Sequence, residues 1–412
     1  MRILWLCNLM PGKVREALEG TVCAGGLWVD SVLAGLRREG ETIHILCPGD
    51  GSRGALDEKC GFATFREGLP YVYLRSLEQL FEEEIRAFRP EVIHIWGTEY
   101  GHTLAMMNAA EKCGSLPHTA VSIQGLCSIY AGHYAEGVPY RVQRRNTFRD
   151  LVRRDNILGQ QKKFTLRGEL EVQALQKAGH IIGRTRWDRA CTCAVNPQAE
   201  YHFCNETLRE PFYTGQWHYE DSRKHRIFAS SCAYPVKGFH YLLEAFGRVS
   251  RDYPDAVLAV PGNSFLAASR LRRTNYQKYL GQLARRYGVE DKIEFLGSLS
   301  AGEMKAEYLS ANVFVLPSTI ENSPNSLGEA MLLGTPCVAA DVGGVTDLMT
   351  MDREGFIYPS TAGYMLSFYI EQVFRMEEKA EAMGIAAREH ALCTHDPEKN
   401  LETLLEIYRR IA

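Results

Sequence analysis

The feature that most limits what this chain can become is an alternation of short β-branched runs with amphipathic stretches, which starts, breaks off and starts again. RILWLCN (2–8), TIHILCP (42–48), VIHIWG (92–97), TAVSIQG (119–125) and HIIGRT (180–185) read as strands. Between them, GGLWVDSVLAGLRREG (25–40) and LEQLFEEEIRAFRP (77–90) carry apolar residues at helical spacing. Short apolar strands separated by helices predict parallel sheets covered on both faces. After an irregular stretch at 196–225, read as a connection, the pattern restarts with RIFASS (226–231), AVLAVPG (256–262), KIEFLG (292–297), VFVLPS (313–318) and CVAAD (337–341). At 412 residues the chain is too long for one ordinary core. The expectation is an α/β protein of two Rossmann-like domains facing a cleft. Residues 1–200 form the first, 201–395 the second, and a last helix at 396–412 can pack on either. Ligands of such sheets bind beyond the carboxyl ends of the strands.

Composition removes several function classes. Apolar residues make up 45% and charged residues 24%, which is ordinary for a globular chain. A net charge of −3 argues against a nucleic-acid binder. No apolar run is long enough to span a bilayer, and the first strand begins at Arg2, so a cytoplasmic protein is expected. Twelve cysteines lie scattered without a disulfide framework. Cys191, Cys193, His202 and Cys204 have ligand chemistry, but their spacing matches no common structural zinc pattern. The expectation is thiols and no metal.

The densest chemistry lies in LPSTIENSPNSLGEAMLLGTPCVAADVGG (316–344). A strand ends near Ser318, and a helix runs from about Asn325 to Gly334, with Ser323 or Asn325 as its cap. A helix start just past a strand end offers free N–H groups and a positive dipole to a phosphate. Glu321 precedes that helix and Glu329 lies in its second turn. On spacing alone, the pair reads equally well as a cap and a solvated face or as a binding pair.

These segments resemble the donor site of glycosyltransferase family 4, whose fold is called GT-B. The resemblance rests on E-x7-E followed by EAMLLGTPCVAADVGGVTDLM, on YPVKGFHYLLEAF (234–246), on HFCNETL (202–208), and on the loop, Gly-Gly and helix at 11–50. It implies a retaining transferase of a nucleotide-linked sugar, with UDP-hexose the default donor, a sugar or lipid-linked acceptor, and surface polysaccharide or glycolipid synthesis as the setting. No cofactor is implied, since the nucleotide sugar is a substrate. By the same resemblance Glu321 binds the donor sugar and Glu329 holds the ribose hydroxyls. Lys237, followed by Gly238, places an ammonium on the diphosphate. The amides of Asn325, Ser326 and Leu327 meet the phosphate or sugar; Pro324 has no N–H to offer. Gly25 and Gly26 let the backbone approach the donor closely.

The sequence departs from that family at three places. Ser231 and Cys232 stand where an arginine is usual, so one diphosphate-neutralising charge is missing, and Arg184 or Arg186 is a replacement to look for. Gln124 stands where a histidine is usual and cannot titrate; His133 is the substitute to test. The Glu321 motif itself reads ENSPNSLGE. The chain has no Asp-x-Asp motif. Residues 141–167 hold nine Lys and Arg against two Asp. That run is read as a solvated helical face or as a contact for an anionic membrane or lipid diphosphate, with nucleic acid a third reading that no aromatic stacking pattern supports. Two other readings stay open: a catalytically silent nucleotide-sugar binder, and another enzyme on the same fold such as an epimerase. A phosphorylase would need a pyridoxal phosphate lysine that the sequence does not place.

Overall fold

The computed structural model describes residues 1–20, 28–267, 269 and 271–412. Gly25 and Gly26 lie outside the described residues. Among the described residues, fourteen strands form two sheets. The first sheet contains β1 (Arg2–Cys7), β2 (Thr42–Pro48), β3 (Arg53–Asp57), β4 (Cys60–Phe65), β5 (Val92–Trp96), β6 (Thr119–Ser122), β7 (His180–Gly183) and β8 (Glu200–Phe203). Its order is β3-β4-β2-β1-β5-β6-β7-β8, parallel except for β3 against β4. The second contains β9 (Arg226–Phe228), β10 (Val257–Val260), β11 (Ile293–Phe295), β12 (Val313–Leu316), β13 (Cys337–Asp341) and β14 (Phe356–Pro359). Its order, β11-β10-β9-β12-β13-β14, is the 3-2-1-4-5-6 of a doubly wound sheet, parallel throughout.

Strand periodicity sorts the core of the first sheet into two layers. Ile3, Trp5 and Cys7 join Ile43 and Ile45 in one apolar cluster, while Leu4 and Leu6 join Ile93 and Ile95 in the other. The first layer is closed by Leu401, Leu404 and Tyr408 of the C-terminal helix Pro397–Ile411. Trp5 Nε1 donates to Tyr408 Oη at 3.1 Å, and His94 Nδ1 lies 2.6 Å from the same oxygen. Burial pushes the His94 imidazole down to about 3, so it sits in this layer uncharged.

By packing, the chain divides into unit 1 (Met1–Ala131, Lys163–Arg209 and His395–Ala412) and unit 2 (Gly132–Lys162 and Glu210–Thr394). These limits place the last helix, expected to pack on either domain or cross back to the first, and differ from 1–200 and 201–395 chiefly over residues 132–162. The C-terminal helix belongs with unit 1, because its apolar stripe fills that unit's core. Residues 132–162 belong with unit 2, tied there by polar bonds: the Asn275 amide donates to Asp150 Oδ2 at 2.9 Å, and His240 Nε2 lies 3.0 Å from Glu136 O. The stretch read as a connection also contributes the edge strand β8.

Candidate active site

In unit 2 the strand order reverses between β9 and β12, the position at which doubly wound sheets bind ligands. The loop after β9 ends in a tight turn, Pro235–Lys237, closed by Gly238 at φ 62°. A Cβ at 238 would lie 1.7 Å from Pro317 O, so only glycine lets this turn rest against the end of β12. The Thr319 amide then donates to Val236 O at 2.8 Å. With the two loops locked together, Lys237 Nζ donates to Glu321 Oε1 at 2.6 Å. Ser318 Oγ donates to the same oxygen at 2.8 Å. Among the described residues nothing hydrogen-bonds Glu321 Oε2. Behind Glu321 the chain passes Gly343 at φ 53°, where a Cβ would lie 1.7 Å from Glu321 O. The Glu321 side chain is 9% exposed and that of Lys237 36% exposed, so the cation is the reachable member of the pair.

The helix Asn325–Leu333 begins four residues after Glu321 and ends at Gly334 in a left-handed cap. Neither Ser323 nor Asn325 caps it: Pro324 occupies the cap position and makes no side-chain cap bond. The amides of Asn325 and Ser326 have no acceptor within a helix by geometry, and both residues are half-buried. Leu327 differs from the expectation. Its side chain is fully buried and its N–H is already donated to Pro324 O at 2.9 Å, so it is the poorest phosphate donor of the three. Glu329, in the second turn, is buried.

The remaining expected residues divide between the units. Ser231 stays at the mouth of the β9 loop, where its Oγ accepts from the Ala233 amide at 3.3 Å. Cys232 is buried, and burial pushes its thiol up to about 11, so it gives no charge in place of the missing arginine. His133 falls in unit 2: its carbonyl accepts from Thr319 Oγ1 at 3.2 Å, and its Nδ1 lies 2.8 Å from Glu136 Oε2. That places it beside the Glu321 loop. Gln124 falls in unit 1, where its Nε2 donates to Glu206 Oε1 at 2.9 Å. Arg184 is buried and ion-paired to Glu206, so its charge is already matched within unit 1.

Unit 1 has its own switch point, between β1 and β5. A cavity of about 240 Å³ there is lined by Asn8, Trp28, Glu99, Tyr100, Gln124 and Arg167 among others. Asn8 Nδ2 donates to Glu99 Oε2 at 2.6 Å, and His102 Nε2 lies 2.8 Å from Asn8 Oδ1. Burial, with Glu171 nearby, pushes the Glu99 carboxyl up to about 7 against the opposing pull of Arg167. The sequence reading missed Glu99. The available signal was its place two residues beyond the strand VIHIWG, where ligand-binding loops begin.

Residues 218–390 match the family model for glycosyl transferases group 1. The match lies wholly in unit 2 and includes Lys237, Glu321 and Glu329. A D-inositol 3-phosphate glycosyltransferase from Corynebacterium urealyticum is 27% identical over 176 residues, 43% of this chain and 41% of that protein. The chain spans between a third and a half of the length of the curated relatives it matches, 33% of one and 49% of another. A sucrose-phosphate synthase from Thermosynechococcus elongatus has a TM-score of 0.73 at 15% identity, covering 100% of this chain and 99% of that one. HepE from Anabaena in complex with UDP-glucose has a TM-score of 0.69 at 16% identity, covering 100% of both chains. The fold is therefore GT-B, with two Rossmann-like units.

Proposed function

We propose that the chain is a retaining, metal-independent glycosyltransferase that moves a hexose from a UDP-linked donor to a hydroxyl acceptor in surface polysaccharide or glycolipid synthesis. The observation that carries this reading is the Lys237–Glu321 pair at 2.6 Å, four residues ahead of a helix with open first-turn amides. A diphosphate needs positive charge that strengthens as the glycosidic bond breaks. Lys237 and the amides of Asn325 and Ser326 supply it from fixed positions. Lys237 turns from Glu321 to the diphosphate, and Ser318 still satisfies the carboxylate. Glu321 Oε2 then accepts from donor hydroxyls, and Glu329 from the ribose. The bond from the anomeric carbon to the phosphate oxygen breaks with its electrons going to the diphosphate. The acceptor oxygen attacks from the same face, and its proton passes to the departing phosphate oxygen. Configuration is retained without a protein nucleophile. HepE, solved with UDP-glucose, supports a UDP donor for this chain.

The acceptor is assigned to unit 1, at the cavity of Asn8, Glu99 and Gln124, whose polar groups can hold hydroxyls. His133 is assigned to the donor sugar instead, because it sits beside the Glu321 loop. A lipid-linked acceptor fits a further observation. In the short helix Phe148–Arg153, Phe148, Leu151 and Val152 are exposed beside exposed Arg144, Arg145, Arg153 and Arg154. Apolar side chains inside a basic rim suit the surface of an anionic membrane. Among the described residues no helix is long and apolar enough to cross one.

The test is a donor panel. Each nucleotide sugar is offered with and without candidate acceptors, and free nucleotide is measured. One donor should turn over, and turnover should fall in Glu321→Ala and Lys237→Ala. Tight nucleotide binding without turnover of any donor would replace the enzyme with a binding protein. Sedimentation with phosphatidylglycerol vesicles should retain the parent and release a variant with serine at 148, 151 and 152.

A further inference from the structure

Away from both switch points, three ligand-type side chains meet at the amino ends of β7 and β8. His180 opens β7 and pairs in register with Glu200, which opens β8; His202 follows two residues later. Alternation along a strand puts Glu200 and His202 on one face. His180 Nδ1 lies 3.1 Å from His202 Nε2 and 3.7 Å from Glu200 Oε2. One ligand atom from each residue lies within 4.8 Å of the others.

The groups around the triad prepare it further. Glu200 Oε1 is held by Arg410 of the C-terminal helix, and Oε2 is the oxygen turned to the histidines. His180 Nδ1 and His202 Nε2 face each other directly, so one proton is shared between two ring nitrogens that point at the same spot.

We propose that His180, His202 and Glu200 bind one divalent transition-metal ion of the zinc type. Two nitrogens on a tetrahedral zinc lie about 3.3 Å apart, so the rings need move only a few tenths of an ångström. To ligate, both facing nitrogens give up the proton between them to the far nitrogen of one ring, and water fills the fourth position. Two imidazoles and one carboxylate favour zinc-type ions over magnesium or calcium. The ion joins the edge strand β8 to its neighbour beneath the end of the C-terminal helix. It takes no part in sugar transfer, because Gln124, Arg184 and Glu206 follow the opposite ends of β6, β7 and β8. Arg410 is the cation that opposes it.

The test uses the full chain, stripped with a chelator and titrated with zinc against a chromophoric competitor. Cobalt serves as the spectroscopic probe. One equivalent should bind. The cobalt adduct should absorb in the visible without a thiolate charge-transfer band, which separates this site from exposed thiols such as Cys193 and Cys393. His180→Gln and Glu200→Gln alter partly exposed side chains and should fold; each should weaken binding more than about tenfold. Arg410→Ala should tighten it. Zinc should raise the melting temperature of the parent and not of His180→Gln. No stoichiometric binding, a thiolate band, or an affinity unchanged in His180→Gln would overturn the proposal.

Discussion

The two units bring the same two loops together at their switch points but give the carboxylate different partners. In unit 2 the loop after β9 presents an ammonium, Lys237, to Glu321 from the loop after β12. In unit 1 the loop after β1 presents an amide, Asn8, to Glu99 from the loop after β5. An amide brings no charge, so burial prevails and the Glu99 carboxyl rises to about 7. One topology therefore yields a carboxylate paired directly with a cation in unit 2 and, in unit 1, a carboxyl paired with a neutral amide while Arg167 pulls against its rise. The assignment of donor and acceptor to the two units rests on this difference.

The sharpest way to break the contrast is to give unit 2 the neutral partner of unit 1. Lys237→Gln keeps a hydrogen-bond donor but removes the charge. Turnover of the donor should fall by about 10² to 10³, the usual cost of losing one electrostatic stabiliser of a developing anion. The melting temperature should stay close to the parent's, since the lysine is more than a third exposed. A fall of less than threefold would remove Lys237 from the reaction.

A smaller effect should follow from parting the loops. Gly238→Ala puts a Cβ into Pro317 O and keeps φ at 62°, a conformation costly for alanine. Destabilisation of about 1–3 kcal/mol is expected, with weakened donor binding, measured by thermal unfolding and calorimetry. Unchanged values in both would mean that the close approach does not position Lys237.

Much of this was legible in the sequence. Continuous apolar runs announced β1, β2 and β12, because strands buried on both faces need no polar alternation. Glu321, Lys237 and Gly238 came from the resemblance to a known donor-site motif, since spacing alone left Glu321 undecided, and the structure brings the first two into contact. β3, β4, β8 and β14 were missed. β3 is short and largely exposed, and β8, with the sequence EYHF, is polar on the face that holds His202. The position of residues 132–162 in unit 2 depends on bonds such as Asn275 to Asp150, which join residues far apart in sequence and leave no local pattern. Leu327 was counted as a phosphate donor for a different reason: its N–H is taken by a local turn at Pro324, whose geometry the sequence does not state.

The smallest expected effect concerns Glu99 and carries its own sign. Its carboxyl has an ordinary value near 4.5 when unfolded and about 7 when folded. A raised carboxyl favours the folded state while it is protonated in both states. That advantage is full below about pH 4.5 and is lost as pH rises through 7. Glu99→Gln keeps the shape and removes the titration. The variant should therefore match the parent near pH 4.5 and exceed it in stability at pH 8 by about 1–2 kcal/mol, an amount reduced from the full shift because Glu99 is only partly buried. Unfolding curves at pH 5, 6, 7 and 8 measure this directly. Parallel curves for the two proteins would mean that Asn8 and Arg167 offset the burial of Glu99. The contrast between the two switch points would then be one of geometry alone.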